Sequence, residues 1–291
     1  MDQLSTIDDQ RAWSRAAHMA GKRIGFVPTM GALHEGHISL IVKARATCDL
    51  VVASVFVNPT QFDNPEDFAQ YPVTLEDDLA KLKAAGVDAV FTPTKEQMFP
   101  DGYCTFVELV GPLTDKMCGA ARPGHFRGVA TVVSKLFNIV QPDVAVFGEK
   151  DLQQVLIISR MARDLDIPVE VVIGDTLREK DGLAMSSRNR RLSPAARLKA
   201  LDLTKGLELA RRAYKQGEST SLKLCEFVYN ELLIHEGVEV DYCDVVSLRG
   251  FEEKDIADDT CFIAAAAFVD GVRLIDHVHL AGPGIPVAID E

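Results

Sequence analysis

The chain has 291 residues, 47% of them apolar and 25% charged, with a formal net charge of -12 at pH 7. That is enough chain for one large and one small domain, and so acidic a balance argues against a broad nucleic-acid surface, which needs many Lys and Arg along a phosphate backbone. The longest apolar runs, such as Cys261 to Val269, fall short of the ~20 residues of a membrane-crossing helix, and the N-terminus lacks a basic region followed by an apolar core, so a cytoplasmic protein is expected. The six cysteines, at positions 48, 104, 118, 225, 243 and 261, form no C-x-x-C pair. They read as reduced, mostly buried thiols and not as a disulfide or zinc framework.

In chain order, Ser5 to Ala20 predicts a leading helix with Trp13 as a core anchor. The segment Arg23-Ile24-Gly25-Phe26-Val27 reads as a short buried strand, and Ile38 to Cys48 carries apolar residues at helical spacing. The stretch Phe26-Val27-Pro28-Thr29-Met30-Gly31-Ala32-Leu33-His34-Glu35-Gly36-His37 therefore falls at a strand-to-helix turn. A helix N-terminus there favours anions through its unpaired N–H groups and positive dipole end. Gly31 and Gly36 let the backbone come close, and His34 and His37, three apart, can donate from one face. Two neighbouring histidines are also common at surfaces and metal sites, but no third ligand lies at a zinc-like spacing, so a phosphate site is the better reading. H-x-G-H after a first strand resembles the signature of the nucleotidylyltransferase superfamily, which includes the class I aminoacyl-tRNA synthetases.

Leu50 to Val57 is a continuous apolar run, the pattern of a strand buried on both faces of a parallel sheet, and it ends in Asn58-Pro59-Thr60-Gln61-Phe62. Ligands of open α/β sheets bind beyond the carboxyl ends of strands, which puts Asn58 and Gln61 where a substrate would be read. Thr74 can cap a helix whose first turn holds Glu76, Asp77 and Asp78. These acids complement the helix dipole; as a second reading, Asp77 or Asp78 could hold a magnesium ion accompanying a nucleotide. Ala89 to Thr92 and Thr105 to Val110 read as further strands. The loop Arg122-Pro123-Gly124-His125-Phe126-Arg127-Gly128 is either an anion contact or a solvated basic turn, and a helix follows over Val129 to Val140.

Asp143-Val144-Ala145-Val146-Phe147-Gly148-Glu149-Lys150-Asp151 repeats the first pattern, an apolar strand broken at Gly before a helix, so Lys150, Asp151 and Gln154 are expected at the sheet's carboxyl edge. A lysine there can pair with phosphates and Asp151 can accept from a ribose hydroxyl; the bland alternative is a charged run at a helix cap. After a strand over Pro168 to Ile173 the character changes. Ala184-Met185-Ser186-Ser187-Arg188-Asn189 offers two hydroxyls and a guanidinium as phosphate donors. Helices over Ser193 to Lys215 and Ser221 to His235 precede strands at Val238 to Leu248, Thr260 to Val269 and Val272 to Leu280, the last two joined by the hairpin signal Asp270-Gly271. The expected fold class is α/β: a Rossmann-like parallel sheet with flanking helices over residues 1–175, then a smaller C-terminal α+β domain over 176–291.

Together Pro28 to His37, Asn58 to Phe62, Arg122 to Val129, Phe147 to Asp151 and Ala184 to Asn189 resemble the pantothenate synthetase (pantoate:β-alanine ligase) family across nearly the whole chain. Departures from the family pattern are Leu152, where an aromatic is usual, and Val73, where an Arg often follows Tyr71-Pro72. The resemblance implies a homodimeric ligase that uses ATP with Mg2+ to activate pantoate as an acyl adenylate and then joins it to β-alanine. It implies His34, His37, Lys150 and Arg188 as catalytic residues, with His37 donating a proton to the leaving pyrophosphate. Met30, Gly31, Ala32, Leu33, Glu35, Gly36, Gly148, Glu149, Asp151, Leu177, Met185, Ser186 and Ser187 would join them around ATP. Gln61, Gln154, Asn58 and Arg122 would meet pantoate and β-alanine, and the C-terminal domain would act as a lid excluding water. Another enzyme of the superfamily, one that leaves the nucleotidyl group on its product, or a silent nucleotide-binding protein, are the rival expectations.

Overall fold

The computed structural model describes residues 1–282, so residues 283–291 of the expected C-terminal domain lie outside the described residues. The chain divides into two compact units, the first made of Met1–Val110 with Arg122–Thr176 and the second of Gly111–Ala121 with the chain from Leu177 onward.

The first unit is built on a six-stranded sheet: β1 (Asp2–Leu4), β2 (Ile24–Thr29), β3 (Leu50–Val55), β4 (Ala89–Phe91), β5 (Val144–Gly148) and β6 (Glu170–Gly174), in the order β1-β4-β3-β2-β5-β6. Every pairing is parallel. Strands such as β3, whose inner residues Val51, Val52 and Ala53 are fully buried, are apolar except for the buried Ser54 because helices cover both faces of a parallel sheet. From β2 the chain adds β3 and then β4 on one side, and β5 and β6 on the other, so the direction of winding reverses between β2 and β5. That reversal is where open α/β sheets hold ligands. β2 pairs with β3 along its whole length but with β5 only at Gly25 and Phe26. Beyond them comes Pro28, which has no N–H to offer a ladder.

The helix Glu35–Arg45 packs Leu40, Ile41 and Ala44 into the core beside Val27, Val51, Val144 and Val146, and Leu82 of the helix Leu75–Ala84 joins the same cluster together with Leu33. The leading helix spans Ile7–Met19, with Thr6 accepting from the Asp9 N–H as its cap. Trp13 is only half buried; its indole N–H reaches Asp2 at 3.0 Å, tying the helix to β1, a strand the sequence pattern did not announce. The expected strand over Thr105–Val110 does not form. Its backbone finds another partner, since the Val107 N–H donates to Thr131 Oγ1 on the helix His125–Val140 at 3.0 Å.

The second unit carries an antiparallel sheet of β7 (Val238–Ser247), β8 (Cys261–Val269) and β9 (Val272–His279). The helices Pro194–Lys215 and Ser221–Leu232 supply Ala200, Leu203, Leu207, Leu224 and Val228 to a core with Ile263, Ala265 and Ala267 of β8. The hairpin at Asp270-Gly271 is a two-residue turn with φ of +45° and +80°, the left-handed pair that a tight hairpin requires. Five of the six cysteines are buried, all six are free thiols, and Cys104 is exposed.

Candidate active site

The loop leaving β2 turns sharply, with Gly31 at φ +81° and Ala32 at φ +50°. A Cβ on Gly31 would lie 2.9 Å from Asp78 Oδ2, so this position needs glycine for both conformation and space. Thr29 Oγ1 accepts the Gly31 N–H at 3.2 Å and donates to the Ser54 carbonyl at 2.7 Å, joining the loop to β3. Ala32 and Leu33 are buried, Met30, His34, Gly36 and His37 are partly open, and Glu35 is exposed at the start of the helix.

His34 is the cap residue of that helix, and its backbone N–H donates to Nδ1 of His37 at 3.3 Å. The two rings are 4.1 Å apart between centroids. Burial and then the neighbouring His34 are the main causes that lower the His37 pKa to about 3, with Lys150 and Lys81 adding to them and Asp151 opposing. At neutral pH His37 is therefore an uncharged imidazole whose Nδ1 accepts and whose Nε2–H is the donor. In this state its Nε2–H can donate a hydrogen bond to an anion.

Beyond β5, Glu149–Asp151 forms one 3-10 turn ahead of the helix Leu152–Asp164. Lys150 lies 3.5 Å from Asp151, with its side chain 19% exposed. Gly148, Glu149, Lys150 and Asp151 are all partly open, as is Gln154 in the first turn of the helix. Both Lys150 and Asp151 act on the His37 ring, so the loops after β2 and β5 meet at the reversal of the sheet, as their sequences predicted.

The loop after β3 is a 3-10 turn, Pro59–Gln61. Asn58 is buried; its Oδ1 accepts from the Thr60 N–H and hydroxyl, and its Nδ2 donates to Gln61 Oε1 at 2.9 Å and to the Gly128 carbonyl at 3.2 Å. Asn58 is thus engaged in orienting Gln61, whose side-chain carbonyl Oε1 it holds. The Gln61 backbone oxygen meets His125 Nδ1 at 2.7 Å and Arg122 at 3.3 Å, and Arg122 also binds Asp63 at 2.7 Å. His125 is buried and its pKa is lowered to about 4, first by burial and then by Arg122, so it supports the Gln61 backbone as a neutral donor. From sequence this loop reads as either an anion contact or a solvated basic turn; in the structure Arg122 and His125 both engage the Gln61 carbonyl, and Arg122 also pairs with Asp63.

The Asp77 and Asp78 magnesium reading does not fit. Asp78 has no exposed surface, its two oxygens accept the backbone N–H groups of Leu33 and Ala32 at 2.8 and 2.9 Å, and Thr74 donates its hydroxyl to the same carboxylate at 3.1 Å. A carboxylate so engaged has no open face for a hydrated divalent ion, while Asp77 is exposed on another face of the helix. Thr74, expected as a side-chain cap, makes no cap bond and serves Asp78 instead. Sequence reading also overlooked Lys81, whose ammonium reaches the Leu33 carbonyl at 2.7 Å; the only signal was its position one turn after Asp78.

The second unit carries the remaining predicted residues. Leu177 and Met185 are joined by the Met185 N–H to the Leu177 carbonyl at 2.9 Å, closing a small loop in which Arg178 pairs twice with the buried Asp276, at 2.6 and 3.0 Å. Asn189 donates to Glu179 and to the Ala184 carbonyl at 2.7 and 3.0 Å. Ser186 Oγ accepts the Arg188 N–H at 3.3 Å and starts the 3-10 turn Ser187–Arg191, in which Ser187 is buried and Arg188 partly open.

These features define a class: a Rossmann-like α/β protein with a histidine loop and a lysine loop at the reversal of its parallel sheet. Comparison with known proteins narrows it. A family model described as pantoate-beta-alanine ligase matches residues 2–279. Pantothenate synthetases from Pelotomaculum thermopropionicum and Roseobacter denitrificans are 49% and 46% identical, covering 95% and 98% of this chain and 98% of each relative. The pantothenate synthetase structure from Thermus thermophilus superposes with a TM-score of 0.91 at 44% identity, covering 97% of this chain and all of that one. The pantoate-beta-alanine ligase of Francisella tularensis, in a complex with beta-gamma ATP and beta-alanine, does so with a TM-score of 0.81 at 33% identity, over 97% of this chain and 99% of its own. The chain belongs to the pantoate-beta-alanine ligase family, enzymes that form a C–N bond.

Proposed function

We propose that this enzyme condenses pantoate with β-alanine at the expense of ATP through a pantoyl-adenylate intermediate. One pantoate carboxylate oxygen attacks the α-phosphorus and the bond to the bridging oxygen breaks, releasing pyrophosphate. The β-alanine amine then attacks the activated carbonyl, loses a proton as the amide forms, and AMP leaves. A carboxylate alone would have to expel oxide; coupling to AMP supplies a leaving group, and the phosphoryl step depends mainly on positioning and charge neutralisation.

The observation that carries the reading is the neutral, tautomer-fixed His37 beside the Lys150 loop at the reversal of the sheet. His34 and His37 would donate hydrogen bonds to the triphosphate, and Lys150 would balance the charge that builds on it. Gln61, with its amide oriented by Asn58, and Gln154 would bind the hydroxyls and carboxylate of pantoate. The family pattern assigns Ser186 and Arg188 to the phosphates and Asp151, Gly148 and Met185 to the nucleoside. Magnesium would enter bound to the ATP phosphates, since Asp78 is engaged by the protein backbone. A cytoplasmic homodimer belongs to the same reading and rests on the family resemblance; among the described residues no helix is long and apolar enough to cross a membrane.

The test uses pantoate labelled with oxygen-18 in its carboxylate, with ATP, magnesium and β-alanine. Label is expected in AMP, released only with pantoate present and alongside pantothenate. Unlabelled AMP, or ATP consumed only with some other acceptor, would reject the adenylate route and move the chain to nucleotidyl transfer.

A further inference from the structure

The helix Leu75–Ala84 presents an acid and a base one turn apart to the histidine loop. Asp78 accepts the N–H groups of Ala32 and Leu33, and Lys81 donates to the Leu33 carbonyl at 2.7 Å. The next residue, Leu82, is fully buried in the same apolar cluster as the Leu33 side chain. Leu33 is therefore held at both its N–H and its carbonyl by a single helix. It needs holding, because Ala32 before it sits at φ +50°, a left-handed conformation that a residue with a Cβ keeps only where its surroundings enforce it. Leu33 is followed directly by His34, the first of the two histidines.

We propose that Asp78 and Lys81 are positioning residues for adenylate formation: a two-sided backbone clamp that sets where His34 and His37 meet the triphosphate. The clamp rests on the reading that this loop binds ATP phosphates. An acid alone could hold the two N–H groups but would leave a buried, uncompensated charge behind a site that must accept an anion. Lys81 brings a cation to the same loop residue and takes the one backbone group, the Leu33 carbonyl, that a carboxylate cannot bind. No divalent ion is needed at Asp78 for either task.

Four variants of the full chain decide it: Lys81→Met, Lys81→Arg, Asp78→Asn and His37→Ala. Lys81→Met keeps the apolar stem and removes the donor. It is expected to lower kcat/KM for ATP by about tenfold or more, the scale of one charge-assisted hydrogen bond, with the KM values for pantoate and β-alanine within about twofold of wild type. Lys81→Arg, which can still reach a carbonyl, is expected to restore most of the loss. Asp78→Asn turns an amide donor toward backbone donors and is expected to lose more than Lys81→Met; should it fail to fold, the two Lys81 variants decide alone. KM values for pantoate and β-alanine raised together with that for ATP and a lowered melting temperature, or no rescue by Arg, would make Lys81 a general fold residue and overturn the clamp. His37→Ala separates the two readings. If it collapses turnover while Lys81→Met does not, the clamp is wrong and the phosphate site stands; if His37→Ala is harmless, the phosphate reading fails and the clamp with it.

Discussion

The His34 backbone N–H points at His37 Nδ1 across 3.3 Å, inside the first turn of the helix that follows the loop. One bond therefore fixes which nitrogen of His37 carries its proton and sends the Nε2–H away from the backbone. Replacing His37 by Ala, or Lys150 by Ala, should remove roughly 3 to 4 kcal/mol of transition-state stabilisation, a hundred- to thousandfold loss in turnover measured as AMP release. His37→Gln, whose amide can still donate, should recover part of that loss. A variant within threefold of wild type would remove its residue from the mechanism.

Two imidazoles with lowered pKa values predict an acid-sensitive fold. His37 and His125 have pKa values lowered from 6.5 to about 3 and about 4, so the unfolded chain binds protons more readily than the folded one. Their contribution to stability is complete above pH ~6.5 and is lost as pH falls toward those values. The melting temperature should drop between pH 7.5 and pH 5, and more gently in His125→Gln. An identical drop in that variant would exclude His125 as a source.

Gln154 sits partly open in the first turn of the helix that follows the Lys150 loop. If Gln154 binds pantoate as proposed, Gln154→Ala should raise the pantoate KM sharply while leaving ATP binding nearly unchanged. Equal weakening of ATP, measured by calorimetry, would contradict that placement.

Gly128 lies where the helix His125–Val140 passes the Pro59–Gln61 turn, and an added Cβ would come 2.2 Å from the Thr60 carbonyl oxygen. Backbone cannot yield as a side-chain tip does, so Gly128→Ala must displace the turn. A stability loss of about 1 to 3 kcal/mol is expected, together with a higher pantoate KM, since Gly128 also accepts from Asn58, the residue that orients Gln61. Unchanged melting and kinetics would show that the turn moves freely.

Much of the site was legible before any coordinates. Glycine and histidine spacing at a strand-to-helix turn, and an apolar strand broken at Gly148 before Lys150, are local patterns, and local backbone chemistry alone places both loops at strand ends. Five motifs in order carried the family resemblance, and the strands β2, β3, β5 and the closing hairpin followed from apolar runs and the Asp270-Gly271 turn. Thr105–Val110 misled because a short, mostly apolar segment needs a neighbouring strand to become one, and the Val107 N–H meets the Thr131 hydroxyl instead.

What only the tertiary structure decided is the work of the polar groups that are far apart in the chain. Asp78 reads as a helix-dipole acid or a metal ligand until Ala32 and Leu33, more than forty positions away, bring their N–H groups to it. His125 and Arg122 read as either anion contacts or a solvated turn, and only the fold brings the Gln61 carbonyl to both of them. By itself the sequence determined the fold class, the family and the placing of two glycine-containing loops at strand ends, since periodicity, glycines and short motifs act over a few residues. The role of a buried charge depends on which unpaired backbone groups the fold carries to it, and a linear pattern does not contain that distance.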